Sequence, residues 1–289
     1  MKLQLIRSQW KPMDIWFLGD MQWSGRPNAT ALNVLKETIR DGLEAEKHGV
    51  EVRYILMGDY TDFASPSNRA RLRAANLYDT ASDVIDDSAL NLTLDLHQRA
   101  LKPIQKKVLG VVEGHHLHEL KDGTTTDMRL CEMLGAEFFG TTGLLHIQFE
   151  RASEGHQRVG YTIWFSHGTG NGQTGYYPLA RLEKKAAEFE QVDCFVMGHT
   201  TKSAHEYANK VFPRWGTRGA YDLGSRKVIL IGSGGYSKTY VEGAMQGRIP
   251  RGGYAEQRML NAAHIGSPVL HLRPKKSGSR IWLQATAEA

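Results

Sequence analysis

Six short apolar runs punctuate the chain, and each stops abruptly at glycine or at a polar cluster. They cover residues 14–20, 52–59, 107–114, 161–167, 192–199 and 227–232. Each is strand length, rich in β-branched and aromatic residues, and almost continuously apolar, which predicts strands covered on both faces. Helical spacing recurs between them. Leu32, Leu35, Ile39 and Leu43 fall three and four residues apart within 29–48, and Gly49 is placed to cap that helix at its C-terminus. Two or three helices are expected over about 68–106, with Pro103 kinking the last, and shorter ones over Thr126–Leu134 and 179–189. Strand and helix alternate up to about residue 200, which predicts a layered α/β sheet. Beyond Ala204 the strands follow each other more directly, apart from an irregular glycine-rich insertion over 237–267. No repeat or linker divides the sequence, so one domain over 1–289 is expected.

Composition changes this picture little. Hydrophobic residues make up 41% and charged residues 23% of the 289 positions, as in ordinary soluble proteins. Thirty-six Lys and Arg against 31 Asp and Glu leave a formal charge of +5, a mild excess that makes nucleic acid one candidate partner. The two cysteines, Cys131 and Cys194, sit in apolar surroundings and read as buried thiols of a reducing compartment rather than a disulfide framework. The N-terminal segment lacks a signal-peptide pattern, and no apolar run approaches the ~20 residues of a membrane span. The expectation is a cytoplasmic protein with no membrane partner, one that a virus inside its host cell could encode; the oligomeric state is left open.

Candidate chemistry lies where the runs stop. Five of the six end in metal-ligating residue types: Asp20 with Gln22 two residues on, Gly58-Asp59-Tyr60-Thr61-Asp62, Gly114-His115-His116, Ser166-His167-Gly168, and Gly198-His199-Thr200-Thr201. Binding sites in open α/β sheets form outside the carboxyl ends of the strands, so these residues are expected to converge despite their separation in sequence. A lone Gly-Asp after a strand is commonly a turn, and a lone His commonly a surface or capping residue. Their ordered recurrence at five strand ends points instead to a metal site.

This series resembles the calcineurin-like metallophosphoesterases, whose five motifs run D-x-H, G-D-x-x-D, G-N-H-[DE], H and G-H-x-H. The resemblance spans 14–201, and Asp20-Met21-Gln22 is similar to the first motif of phage and mobile-element members that carry Gln there. It implies a four-layer α/β/β/α sandwich, two metals bridged by one carboxylate, and hydrolysis of phosphoesters, with a phosphodiesterase or nuclease favoured by the basic balance. By resemblance Asp59 would bridge the metals, Asp20 and Gln22 would face one of them, and His115, His167 and His199 the other. His115 stands where the family usually has Asn. His116 would be the catalytic histidine that protonates the leaving oxygen, and Asp62 would fix its loop. The sequence departs from the motifs at Gln22, Leu117 and Thr201. Asp59 with three imidazoles is a set suited to zinc, iron or manganese, whereas Asp20, Gln22 and Asp59 offer only oxygen and suit manganese or magnesium. One or two divalent ions are therefore expected, the second held more loosely. His205 lies four residues past Thr201, roughly 13 Å along a strand, too far to replace it.

Weaker signals complete the reading. The glycine-rich stretch 167–175 lacks a following Gly-Lys-Ser/Thr and is not a Walker A loop; it reads as a mobile loop, or as backbone amides lining a phosphate site. Arg248, Arg251 and Tyr254 in the insertion are candidate substrate-binding residues, able to contact phosphates and stack on bases. Arg69, Arg71 and Arg73 read as a solvated helix face. His97, His118, His146, His156, His264 and His271 read as structural or exposed. Two rivals remain: a catalytically weak descendant that binds nucleic acid or protein, and a dinucleotide-binding domain, which the lack of a glycine fingerprint disfavours.

Overall fold

The apolar runs become the central strands of two stacked sheets. The computed structural model describes the chain except at residues 27, 64–78, 152–156, 171, 173, 216–220, 242, 244–248, 250–253, 258 and 260. In chain order the strands are β1 (Lys2–Gln9), β2 (Met13–Leu18), β3 (Glu51–Leu56), β4 (Val108–Val111), β5 (Glu137–Phe138) and β6 (Thr142–Arg151). They continue with β7 (Gln157–Ser166), β8 (Cys194–Met197), β9 (Ser203–Trp215), β10 (Tyr221–Ser233), β11 (Val269–Ser277) and β12 (Arg280–Glu288). The described helices are α1 (Leu32–Lys47), α2 (Asp79–Leu96), α3 (Thr126–Leu134), α4 (Tyr176–Ala186) and a single turn at Tyr254–Gln257.

One sheet has the order β12-β11-β2-β3-β4-β5 and the other β1-β6-β7-β8-β10-β9. Strands β2, β3, β4 and β5 are parallel, with β11 antiparallel beside β2. In the second sheet β8 runs parallel to both β7 and β10. Met13, Ile15, Phe17 and Ile55 of the first sheet meet Ile147, Phe149, Ile163, Phe165, Val196 and Ile231 of the second in a buried inter-sheet core. The outer face of the first sheet is covered by helices: Leu35 and Ile39 of α1, Leu96 of α2 and Leu130 and Leu134 of α3 pack on Val52, Tyr54 and Leu56. Helix α4 covers the other outer face, placing Leu179, Leu182 and Ala186 against Trp164, Phe195 and Leu230. The architecture is the expected four-layer α/β/β/α sandwich, and residues alternate between inner and outer core because the central strands are covered on both faces.

Local differences have local causes. Helix α2 passes into a π turn at His97–Leu101 and a 3-10 turn at Lys102–Ile104, so Pro103, which has no N–H to continue the ladder, ends the helix rather than kinking it. The helix expected over 179–189 begins at Tyr176 and ends at Ala186. Strands β1 and β6 arise outside the apolar runs: β6 alternates buried apolar with half-buried positions, whereas β1 turns Leu3 and Leu5 to solvent and Ser8 inward. Arg69, Arg71, Arg73 and His156 lie outside the described residues. Both cysteines are buried and free. Among the described residues no helix is long and apolar enough to cross a membrane.

Candidate metal centre

Strands β2, β3, β4, β7 and β8 end on one rim of the sandwich, and the loops beyond them stay in register. Asp20 N–H donates to Gly58 C=O and Gln22 N–H to Asp59 C=O, each at 2.9 Å, so the β2–β3 pairing is carried past the strand ends. Holding that course bends the backbone hard. Asp20, Gln22, Asp59, His199 and Thr201 have φ of +47°, +44°, +53°, +67° and +50°. Such left-handed residues cost on the order of 1–3 kcal/mol each and persist where the surroundings over-determine them. Two glycines make the close approach possible. A Cβ on Gly114 would collide with the Asp59 backbone and carboxylate, and one on Gly58 (φ +95°) with the His167 ring.

The convergence brings ligand atoms of Asp59, His115, His167 and His199 all within 4.8 Å of one another. His115 Nδ1 lies 3.1 Å from His199 Nδ1, and His199 Nδ1 lies 3.2 Å from His167 Nε2. His167 Nε2 is also 3.2 Å from Asp59 Oδ2. Carbonyl groups fix two of the tautomers: His167 Nδ1–H donates to Met57 C=O at 2.7 Å, and His199 Nε2–H donates to Gly170 C=O at 2.8 Å. His167 Nε2 and His199 Nδ1 are therefore left as acceptors 3.2 Å apart, an arrangement that a cation or a proton between them satisfies. A metal with ligands at about 2.0–2.1 Å in tetrahedral array has ligand edges of roughly 3.3 Å, close to these spacings. The donor set and its outer hydrogen bonds fit a divalent cation. Without one, a proton takes that role. Burial opposes charge on His167, but Asp59 and Asp20 outweigh it and raise the imidazole to about 9. Burial and the neighbouring His167 push His199 down to about 4. Burial likewise opposes ionisation of Asp59, yet His167 and His116 hold its carboxyl well below the usual range.

Asp59 Oδ1 accepts the backbone N–H of both His115 and His116, which fixes the loop after β4 on the carboxylate. Asp20 is fully buried; its Oδ2 accepts His199 N–H at 3.0 Å, and its Oδ1 has no partner. Burial, reinforced by Asp59 and opposed by His167, pushes its carboxyl up to about 7. An orphaned buried carboxylate oxygen beside Asp59 fits a second cation or a proton. Gln22 fits less well, since its amide oxygen accepts the Ser237 hydroxyl at 2.9 Å. The Thr201 hydroxyl turns back to donate to Thr200 C=O.

His116 stands beside the cluster, its Nε2 4.0 Å from Asp59 Oδ2 and its Nδ1 2.8 Å from Asp62 Oδ1. Burial works against its charge, but the Asp62 hydrogen bond and the Asp59, Asp62 and Asp20 carboxylates raise it above an ordinary histidine. Two supports escaped the sequence reading. Asp127, in the first turn of α3, accepts Gly114 N–H at 2.8 Å and so braces the histidine loop from behind; burial pushes it up to about 7. Tyr60 accepts Gly58 N–H and donates to Val112 C=O, tying the β3 and β4 ends together. The helix-start residues Thr125-Thr126-Asp127 were a legible signal for the first; the second had none. Leu117 is buried and lines a cavity of about 720 Å3 that opens beside His115 and His167. Arg248 and Arg251 lie outside the described residues, and Tyr254 opens the short helical turn without a described side chain.

No family model matches the sequence, and no curated protein matches it. Solved structures show distant likeness. Vps29 from Cryptosporidium parvum is 12% identical, with 96% of this chain and 99% of that one covered, at a TM-score of 0.31. Vps29 from Chaetomium thermophilum is 9% identical over 95% of each chain, at 0.29. The sulfate thiohydrolase SoxB from Thermus thermophilus is 10% identical, with 95% of this chain and 56% of that one covered, at 0.36. These are likenesses of broad outline, and the chemistry of the rim rests on this chain's own residues.

Proposed function

We propose that this protein is a metal-dependent phosphoesterase of the calcineurin-like kind, acting on phosphodiesters. The observation that carries this reading is the convergence of the ligand atoms of Asp59, His115, His167 and His199 to within 4.8 Å of one another, with His116 beside them. Asp59, His115, His167 and His199 would hold one cation, and Asp20 with Asp59 a second, looser one. Bound there, divalent cations supply Lewis acidity and neutralise the phosphate charge that repels a nucleophile.

The chain's own groups supply the rest. The Asp62 hydrogen bond orients His116 and, with the nearby carboxylates, favours its protonated form, which can give that proton to the departing alkoxide. As water forms its new P–O bond, the ester P–O bond breaks, and this proton prevents a free alkoxide from forming. Asp127 and Asp59 keep the His115–His116 backbone in place. The test is hydrolysis of bis-p-nitrophenyl phosphate and of p-nitrophenyl phosphate with manganese or zinc supplied. His116→Ala should lower diester turnover by about 10²–10⁴-fold while metal content stays normal; loss of metal instead would make His116 a ligand. A second reading, a binding module with little catalysis, draws on Gln22 being engaged by Ser237 and on Thr201 facing away. Absence of turnover with every metal tried would select it.

A further inference from the structure

The cavity beside the centre is larger than a phosphate needs, and one wall carries an unneutralised charge. Its volume of about 720 Å3 suits a ligand of nucleoside size, and its lining includes the apolar side chains of Leu117, Leu120, Trp164, Leu182 and Met197. Arg181 of α4 stands on the wall. Its guanidinium donates to the Tyr177 hydroxyl at 3.0 Å and to Thr169 Oγ1 at 3.3 Å, both uncharged. Among the described residues no carboxylate lies within ion-pair distance of it, whereas its neighbour Lys185 is paired with Glu188 at 2.7 Å. Arg181 is exposed on this wall, so the donor hydrogens that Tyr177 and Thr169 do not engage are open to solvent and to a ligand.

The glycine-rich loop left unexplained by the sequence ties this arginine to the centre. Gly170 C=O accepts the His199 ring N–H. A Cβ on Gly170 or Gly172 would collide with the Tyr177 side chain, so these glycines let the Tyr177 ring lie against the loop. Tyr177 and Thr169 then hold the guanidinium. Thr169 is two residues beyond His167, a reach of at most about 7 Å between Cα atoms. The guanidinium is thus linked to the candidate metal ligands through Thr169, two residues from His167, and through the loop whose Gly170 holds His199. Glu113 and Glu119, contributed by the loop after β4, line the cavity as well.

We propose that this cavity seats the substrate beyond its scissile phosphate as a nucleotide unit, the base on the apolar lining and a second phosphate on Arg181. The inference rests on the phosphoesterase reading for the identity of the reacting phosphate. It is tested with metal-loaded protein and two dinucleotides, TpT and its 5′-phosphorylated form pTpT, with bis-p-nitrophenyl phosphate hydrolysis as the separate check on phosphoesterase activity. The wild type should prefer pTpT in kcat/KM by about tenfold, the scale of one charge-assisted hydrogen bond, mainly through KM. Arg181→Gln should bring the ratio near one and Arg181→Lys should keep part of it. If the simple diester is not cleaved, the affinities for TpT and pTpT measured by calorimetry carry the same comparison. An absent wild-type preference, or one that Arg181→Gln leaves intact, overturns the proposal.

Discussion

At the residue scale, strain marks where the chain is forced into place. Asp20, Gln22, Asp59, His199 and Thr201 all take left-handed backbone at the rim, and Thr201 does so with a β-branched side chain whose hydroxyl donates to its neighbour's carbonyl. Thr201→Gly should therefore leave metal content unchanged and stabilise the fold by up to about 1 kcal/mol in thermal unfolding, since it removes a conformation that L-residues resist. His199→Ala and Asp59→Asn should each lower metal occupancy in metal analysis of the purified protein; full occupancy would remove that residue from the ligand set. Asp59, His115, His167 and His199 were legible because each closes an apolar run at a strand's carboxyl end. Ser237 was not, because its contact with Gln22 joins distant segments and leaves no periodic trace; Asp127 was legible as a helix-start residue but not as the partner of Gly114. The engagement of Gln22 by Ser237 could not have been read from an amide's identity alone.

At the element scale, the central strands were legible from continuous apolarity, and the helix expected over Thr126–Leu134 has those bounds as α3. Strands β1 and β6 were missed because their apolar residues alternate with polar ones and form no continuous run, and their partners are fixed by the rest of the sheet. The pairing of β11 with β2 adds a testable charge contact. Asp14 lies 2.8 Å from His271 Nδ1 and 2.6 Å from Arg273. The Asp14 hydrogen bond raises His271 despite burial, and Asp14 is lowered although burial opposes it, through His271 and Arg273. The raised histidine contributes stability that is full below its unfolded value of about 6.5 and is lost as pH rises through its folded value. The lowered carboxyl contributes above about 3.9 and fades as pH falls through its folded value. His271→Gln should therefore lower the melting temperature more at pH 5.5 than at pH 9. An equal loss at both would show that His271 acts by packing alone.

At the scale of the whole molecule, the candidate ligands come from both sheets. Asp59 and His115 follow β3 and β4 of one, and His167 and His199 follow β7 and β8 of the other. A cation held there at a hundred times its dissociation constant would add about 2.7 kcal/mol to stability. Chelation should lower the melting temperature of wild-type protein, and Asp59→Asn should abolish that sensitivity. The position of the cluster also decides where the loosening is felt. A cation coordinated by residues of a single loop would, when removed, free only that loop. One that bridges two stacked layers restrains their sliding, so demetallation should speed amide exchange deep in β6 and β7, whose residues never touch the ion.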